Sequence, residues 1–149
     1  MLKTRHLAIG FAIAVLASLL GLTTTVGATP ASDVQIEVPG FEGPFIATGP
    51  AVDDGVVCGS GVVVTTFNRA AGFQSGSAVS LAVGKEFTCD DASGTFSAKL
   101  QVRVYFEVGA TFRWVITGGT GKYADLHGTG SGFVVGGDTD VYQGGMHID

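Results

Sequence analysis

The chain has 149 residues, 24 of them glycine, and its thirteen acids outnumber its eight Lys and Arg for a formal charge of −5 at pH 7. An acidic chain without clustered Lys or Arg lacks the cations that replace counterions on nucleic acid, and it is poorly suited to an anionic membrane surface for the same reason. The length suits one domain with a real core.

Residues 1–28 read as a secretory signal peptide. Lys3 and Arg5 give a positive start, Leu7 to Leu22 form an uncharged apolar run, and Val26-Gly27-Ala28 is a small-residue cleavage pattern. The run is short for a membrane span, which needs roughly 18–20 residues. The competing reading is an uncleaved N-terminal anchor. No Cys follows the run to carry a lipid, and no later segment is apolar enough to cross a bilayer. The expectation is a protein secreted to the extracellular space or the cell envelope.

Residues 29–50 read as an N-terminal segment with an edge strand at Val34 to Val38 and a second candidate strand at Phe45 to Thr48. Pro39, Pro44 and Pro50 argue against a place in the middle of a sheet. The barrel domain is expected over 51–149. Val56 to Phe67 predicts a strand with a glycine kink, Asn68 to Gly76 a loop, and Ser77 to Cys89 a strand. Thr95 to Phe106 alternates without a break. Phe96, Ala98, Leu100, Val102, Val104 and Phe106 share one face, and polar residues with Tyr105 share the other, which predicts a long strand buried on one side. Glu107 to Ala110 reads as a hairpin turn. Thr111 to Thr117 reads as a strand with Phe112, Trp114 and Ile116 on one face. Gly118 to Tyr123 reads as a turn, and Leu126 to Val135 and Asp138 to Met146 as the last strands. No apolar pattern at helical spacing persists for more than a turn.

Seven or eight consecutive strands joined by short loops make an all-β antiparallel meander. Long strands with glycine kinks favour closure into a small, about eight-stranded β-barrel over a sandwich, because closure needs tilt and bending. Cys58 and Cys89, both in the exported part, are most simply one disulfide. Closing a loop of about 30 residues stabilises the fold by roughly 3–4 kcal/mol on the chain-entropy argument. A metal site would want two more ligands at short spacing, and no CxxC or HxxxH is present.

The segment WVITGGTGKYADLHGTGSG, Trp114 to Gly132, invites a nucleotide reading that its spacing defeats. A phosphate loop needs GxxxxGK followed by Ser or Thr, but Gly121-Lys122 is followed by Tyr123, and Ile116 stands where the first glycine belongs. Gly128, Gly130 and Gly132 alternate with no helix to follow them, which defeats the dinucleotide fingerprint. A turn at Gly118, Gly119 and Gly121 accounts for the residues better. Tyr123 and Leu126 can then fold back onto the sheet. The three later glycines, on one side of the next strand, let Phe112 or Trp114 lie flat against its backbone.

These residues carry a resemblance. Gly118, Gly119, Thr120, Gly121, Tyr123, Gly128 and Gly130 match the GGTGxYxxxxGxG segment of the allene oxide cyclase and dirigent-like barrels, which include secreted bacterial members of unassigned function. The FTCDDASGTF stretch, with Cys89, Gly94 and Phe96, is similar to the strand entry of the bacterial group, and the likeness runs roughly from Cys58 to Val135. The resemblance implies an eight-stranded barrel with an apolar cavity. The plant enzymes cyclise an unstable fatty-acid epoxide, and dirigent proteins orient phenoxy radicals without oxidising them. The plant relatives are trimers or dimers, so a homo-oligomer is compatible with the resemblance. The matching residues are turn and scaffold positions and bring no catalytic residue with them.

Other candidates have plainer readings. His127 beside Asp125 reads as a solvated surface residue, and His147 as frayed near the C-terminus. Asp138-Thr139-Asp140 reads as an acidic turn, short of the six to eight oxygens of a calcium site. Asp53-Asp54 and Asp90-Asp91 are surface acids that the disulfide could draw into one edge, and Glu86 and Glu107 are acids at strand ends. Ser60 and Ser131 lack a nucleophile-elbow context. The lumen candidates are Phe96, Leu100, Val102, Val104, Phe112, Trp114 and Phe133. The reading is a barrel that binds or guides a small apolar molecule in its lumen, with no cofactor, no metal and no nucleic acid. A non-enzymatic interaction or structural module is the alternative. An allene-oxide-cyclase-like isomerase, the one enzymatic option, ranks behind both.

Overall fold

The computed structural model describes residues 29–74 and 78–149. Eight strands follow one another in chain order: β1 (Ser32–Pro39), β2 (Gly43–Thr48), β3 (Ser60–Gln74), β4 (Ala78–Cys89), β5 (Thr95–Tyr105), β6 (Gly109–Gly119), β7 (Leu126–Val135) and β8 (Thr139–Ile148). Each pairs antiparallel with the next, and β1 pairs with β8 from Ser32↔Met146 to Pro39↔Thr139, so the sheet closes into a barrel. A four-residue helix, α1 (Pro50–Asp53), bridges β2 and β3, and a 3₁₀ turn at Gly121–Tyr123 bridges β6 and β7.

The closure corrects two expectations. The N-terminal segment is no edge, since β1 lies between β8 and β2 and both are staves of the barrel. The barrel therefore begins at Ser32 and not at residue 51. Proline is tolerated here because Pro39 ends β1 and Pro44, the second residue of the short β2, lies outside its paired register with β1. The expected loop at 68–76 is also overturned as far as Gln74. The first stretch expected as strand, from Val56, is instead turn until Ser60, and β3 then runs on with register shifts at Thr65/Phe67 and Ala70/Gly72. These bulges put Asn68 and Ala70 opposite Val83 and Leu81, on the inner face, where unbroken alternation would have placed odd-numbered residues. The leader pattern at 1–28 lies outside the described residues.

The inside of the barrel is filled unevenly. In its lower part, Phe87 stacks on Phe96 with centroids 4.7 Å apart, Phe45 meets the Phe87 ring edge-on at 5.3 Å, and Tyr123 meets Phe96 at 5.7 Å. Tyr142 joins this layer to β6, with its ring 4.8 Å from Phe112 and 6.4 Å from Trp114. The disulfide between Cys58 and Cys89 lies at the same end, its Cα atoms 6.0 Å apart. Tyr123 folds back onto this end as expected, and its hydroxyl shares a 2.8 Å hydrogen bond with Ser93.

The glycine row of β7 sets the packing opposite. A Cβ at Gly130 would stand 2.7 Å from the Trp114 ring and 2.1 Å from the Gln143 carbonyl, and one at Gly132 would stand 2.2 Å from the Phe112 ring. The two rings therefore rest on bare backbone, as the sequence suggests. The Trp114 Nε1–H is satisfied by the Ser131 carbonyl at 3.1 Å. Neither backbone nor indole can retreat far, so Gly130→Ala is expected to cost on the order of 3 kcal/mol of unfolding free energy through overpacking. Chemical denaturation followed by Trp114 fluorescence measures it.

Candidate functional site

Above the aromatic layer the side chains shorten and the barrel opens. A cavity of about 960 Å³ occupies this end, reaching the solvent between the β1–β2, β5–β6 and β7–β8 turns. That volume lies near the top of the range for small-molecule sites, roughly 300–1,000 Å³. Leu81 and Val83 from β4, Leu100, Val102 and Val104 from β5, and Phe112 from β6 form its apolar wall. They share it because residues two apart on a strand face the same side, and because Val83↔Leu100 and Leu81↔Val102 are direct cross-strand partners.

Four of the seven lumen candidates line this cavity: Leu100, Val102, Val104 and Phe112. Phe96 and Trp114 face inward but belong to the packed part, where they are almost fully buried. Phe133 is a correction. It is 42 % exposed on the outer face, because Gly132 and Val134, its neighbours on β7, take the inward positions. The turn residues Gly118, Gly119, Gly121 and Tyr123 lie at the packed end. Among them, Gly121 has a positive φ of 59° at the close approach to Ser93. Their role is scaffold.

The wall carries one polar patch that strand periodicity did not bring out. Lys85 follows Leu81 and Val83 on the inward face of β4 and is only 4 % exposed. Its Nζ donates to the Phe41 carbonyl at 2.6 Å and to Thr65 Oγ1 at 2.9 Å. Phe41 has a φ of 66°, a conformation that non-glycine residues adopt rarely. Asp140, on the inward face of β8, is 6 % exposed, which corrects its reading as part of a solvated acidic turn. Asp138 remains in the turn, and Asp140 enters the barrel as the partner of Val38. The Tyr142 hydroxyl makes a long, 3.5 Å contact with Asp140 Oδ2. Glu42 and Glu107 stand exposed at the rim. Glu42 Oε1 accepts the Thr65 amide at 3.0 Å, and this hydrogen bonding holds its carboxyl below the usual range.

Burial dominates the ionisation of this patch. It pushes the Asp140 carboxyl up to about 6, and the Lys85 charge and the Tyr142 hydroxyl offset it only in part. It lowers the Lys85 ammonium, against the pull of Asp140 and Glu42, and it raises the Tyr142 phenol. Among the described residues no direct ion pair joins Lys85 to Asp140, yet each charge acts on the ionisation of the other.

The remaining candidates lie elsewhere. His147 is no frayed end. It sits in β8 opposite His127, the rings stack at 5.4 Å, and both Nε2 atoms face the Asp149 carboxylate at 3.5 and 3.2 Å. Glu86, next to Lys85, points away from the lumen and is half-buried. Asp90 and Asp54 each accept a serine hydroxyl, from Ser60 and Ser32. Among the described residues no group of three or more His, Cys, Asp or Glu is placed to hold a metal, and no helix is long and apolar enough to cross a membrane. Comparison with protein-family profiles, curated proteins and solved structures finds no match.

The raised Asp140 carboxyl fixes a direction for stability against pH. The folded protein holds this proton up to about pH 6, whereas an ordinary aspartate releases it near 3.8. Unfolding free energy therefore falls as pH rises from 3.8 to about 6. The fall through this group is on the order of 1–2 kcal/mol once screening at the open mouth is allowed for. Asp140→Asn is expected to remove that part of the slope, as measured by denaturant titrations across the window.

Proposed function

We propose that this protein, exported from the cytoplasm, binds a small, largely apolar and uncharged molecule in the open end of its barrel. The cavity carries the reading: about 960 Å³ with an apolar wall and one buried polar patch. The wall supplies the hydrophobic driving force, and the buried patch of Lys85 and Asp140 supplies polar groups that fix orientation. The charge balance favours a neutral ligand. Lys85 is the one cation among the described lining residues, and Asp140, Glu42 and Glu107 would all face an added anionic group. The resemblance to the allene oxide cyclase and dirigent-like barrels supports the same use of the lumen. The leader pattern at 1–28 and the Cys58–Cys89 bond support an oxidising location.

A second reading draws on a separate observation. A lumen enzyme of the isomerase type needs a buried ionisable group with a shifted pKa, and Asp140 is such a group. The interaction-module reading, in contrast, has no use for an open cavity.

Val104→Trp tests the lumen reading, since Val104 lines the cavity and is only half-buried, so that an indole there would fill ligand space. Titration with an uncharged naphthylamine dye is expected to give one saturable site in the native protein. In the variant the affinity is expected to fall at least about tenfold, or 1.4 kcal/mol, with the melting curve little changed. Equal affinity in the two proteins would place binding outside the lumen.

A further inference from the structure

Lys85 is held in a way that simple packing does not require. A buried lysine without a close counter-ion is costly, and an apolar residue of similar volume would often serve stability as well or better. Nor is it a minor contributor to the wall, being the only amine among the described residues that line the cavity. Its two hydrogen bonds are directional, to the Phe41 carbonyl at 2.6 Å and to Thr65 Oγ1 at 2.9 Å. An ammonium has three hydrogens, and the third finds no acceptor among the described residues. A neutral amine has two. It keeps both bonds, and its lone pair takes the remaining tetrahedral position, the one without a protein partner. The neutral form thus loses none of its hydrogen bonds to the protein, and burial favours it. Lysines desolvated in apolar pockets are the ones that act as nucleophiles toward carbonyls.

We infer that Lys85 captures uncharged apolar aldehydes or ketones in the lumen as imines. This rests on the lumen-binding reading, because the same wall holds the carbon chain of the carbonyl compound. The Nζ lone pair attacks the carbonyl carbon, a C–N bond forms, and the π pair moves to oxygen, which takes up a proton. The carbinolamine then loses water: the nitrogen lone pair forms the C=N bond as the protonated hydroxyl departs. Both hydrogens of the amine end on that water, and nothing is oxidised or reduced. Asp140, the buried carboxyl of the same lumen whose ionisation responds to the Lys85 charge, is the group assigned to take a proton from nitrogen and return one to the departing oxygen. Its carboxyl, pushed up to about 6, supports both roles near neutral pH. Glu42 and Glu107 at the rim and the Tyr142 phenol beside Asp140 are the other ionisable groups around this path. The rim acids disfavour anionic carbonyl compounds and so narrow the class to neutral ones.

The test treats the full chain with decanal and cyanoborohydride, which reduces an imine to a stable amine, and maps the adducts by peptide mass. Binding of decanol is followed in parallel by displacement of the naphthylamine dye. Lys99 and Lys122, both exposed, serve as internal references. Most of the adduct is expected on Lys85, with decanol suppressing it there and not at the references. Lys85→Arg, which keeps hydrogen-bond donors but cannot form an imine, is expected to remove that adduct. Since this variant can fail to fold, the map of the native protein is decisive by itself. Adducts spread evenly over the lysines while decanol displaces the dye would overturn the imine and leave the lumen reading standing. Loss of both dye binding and selectivity would overturn the two together.

Discussion

The contact between Trp114 and the bare backbone of β7 and β8 shapes the rest of the molecule. A Cβ at Gly130 or Gly144 would stand 2.7 Å from the indole. Without those two side chains the ring lies flat over the neighbouring strands β7 and β8, where it meets Tyr142. Tyr142 in turn touches Phe87 and Phe112, and Phe87 stacks on Phe96. One solid aromatic layer thus fills one end of a barrel that closes where β1 pairs with β8.

The cavity is the counterpart of that layer. Large rings concentrated at the disulfide end leave Leu81, Val83, Val102 and Val104 to line the other, and side chains of that length do not reach across the barrel. The same partition governs the electrostatics. Lys85 and Asp140 sit next to the packed layer, are shielded by it, and open onto the cavity. Burial therefore moves both pKa values toward the neutral forms, while access from the mouth remains. A buried acid and a buried amine facing one apolar chamber form a site in chemical terms, whatever molecule enters it.

Much of the fold was legible because strand periodicity is local. The alternation from Thr95 to Tyr105 and the glycine row of β7 announce inward and outward faces directly, and the closed barrel follows from eight such strands joined by short turns. Two features escaped for physical reasons. The bulges in β3 break the period of two, so a strand reads as a loop. The prolines near β1 and β2 argue against a central place that end positions in fact permit. Phe133 was misplaced although the parity of Gly128, Gly130 and Gly132 already puts it outside. The polar patch was harder to see. Lys85 interrupts an apolar face of β4, a signal present in the sequence, but Asp140 lies 55 positions further on, and only barrel closure brings the two into one lumen.

The division into a packed end and an open chamber is the claim on which the functional account stands, and xenon tests it without assuming any ligand. Diffraction from crystals held under xenon pressure would locate the gas, which enters apolar cavities and is excluded from well-packed interiors. The account predicts xenon beside Val83, Leu100, Val102 and Phe112, and none among Phe87, Phe96 and Tyr123. Xenon confined to the outer surface, with the upper chamber closed by its own side chains, would contradict it.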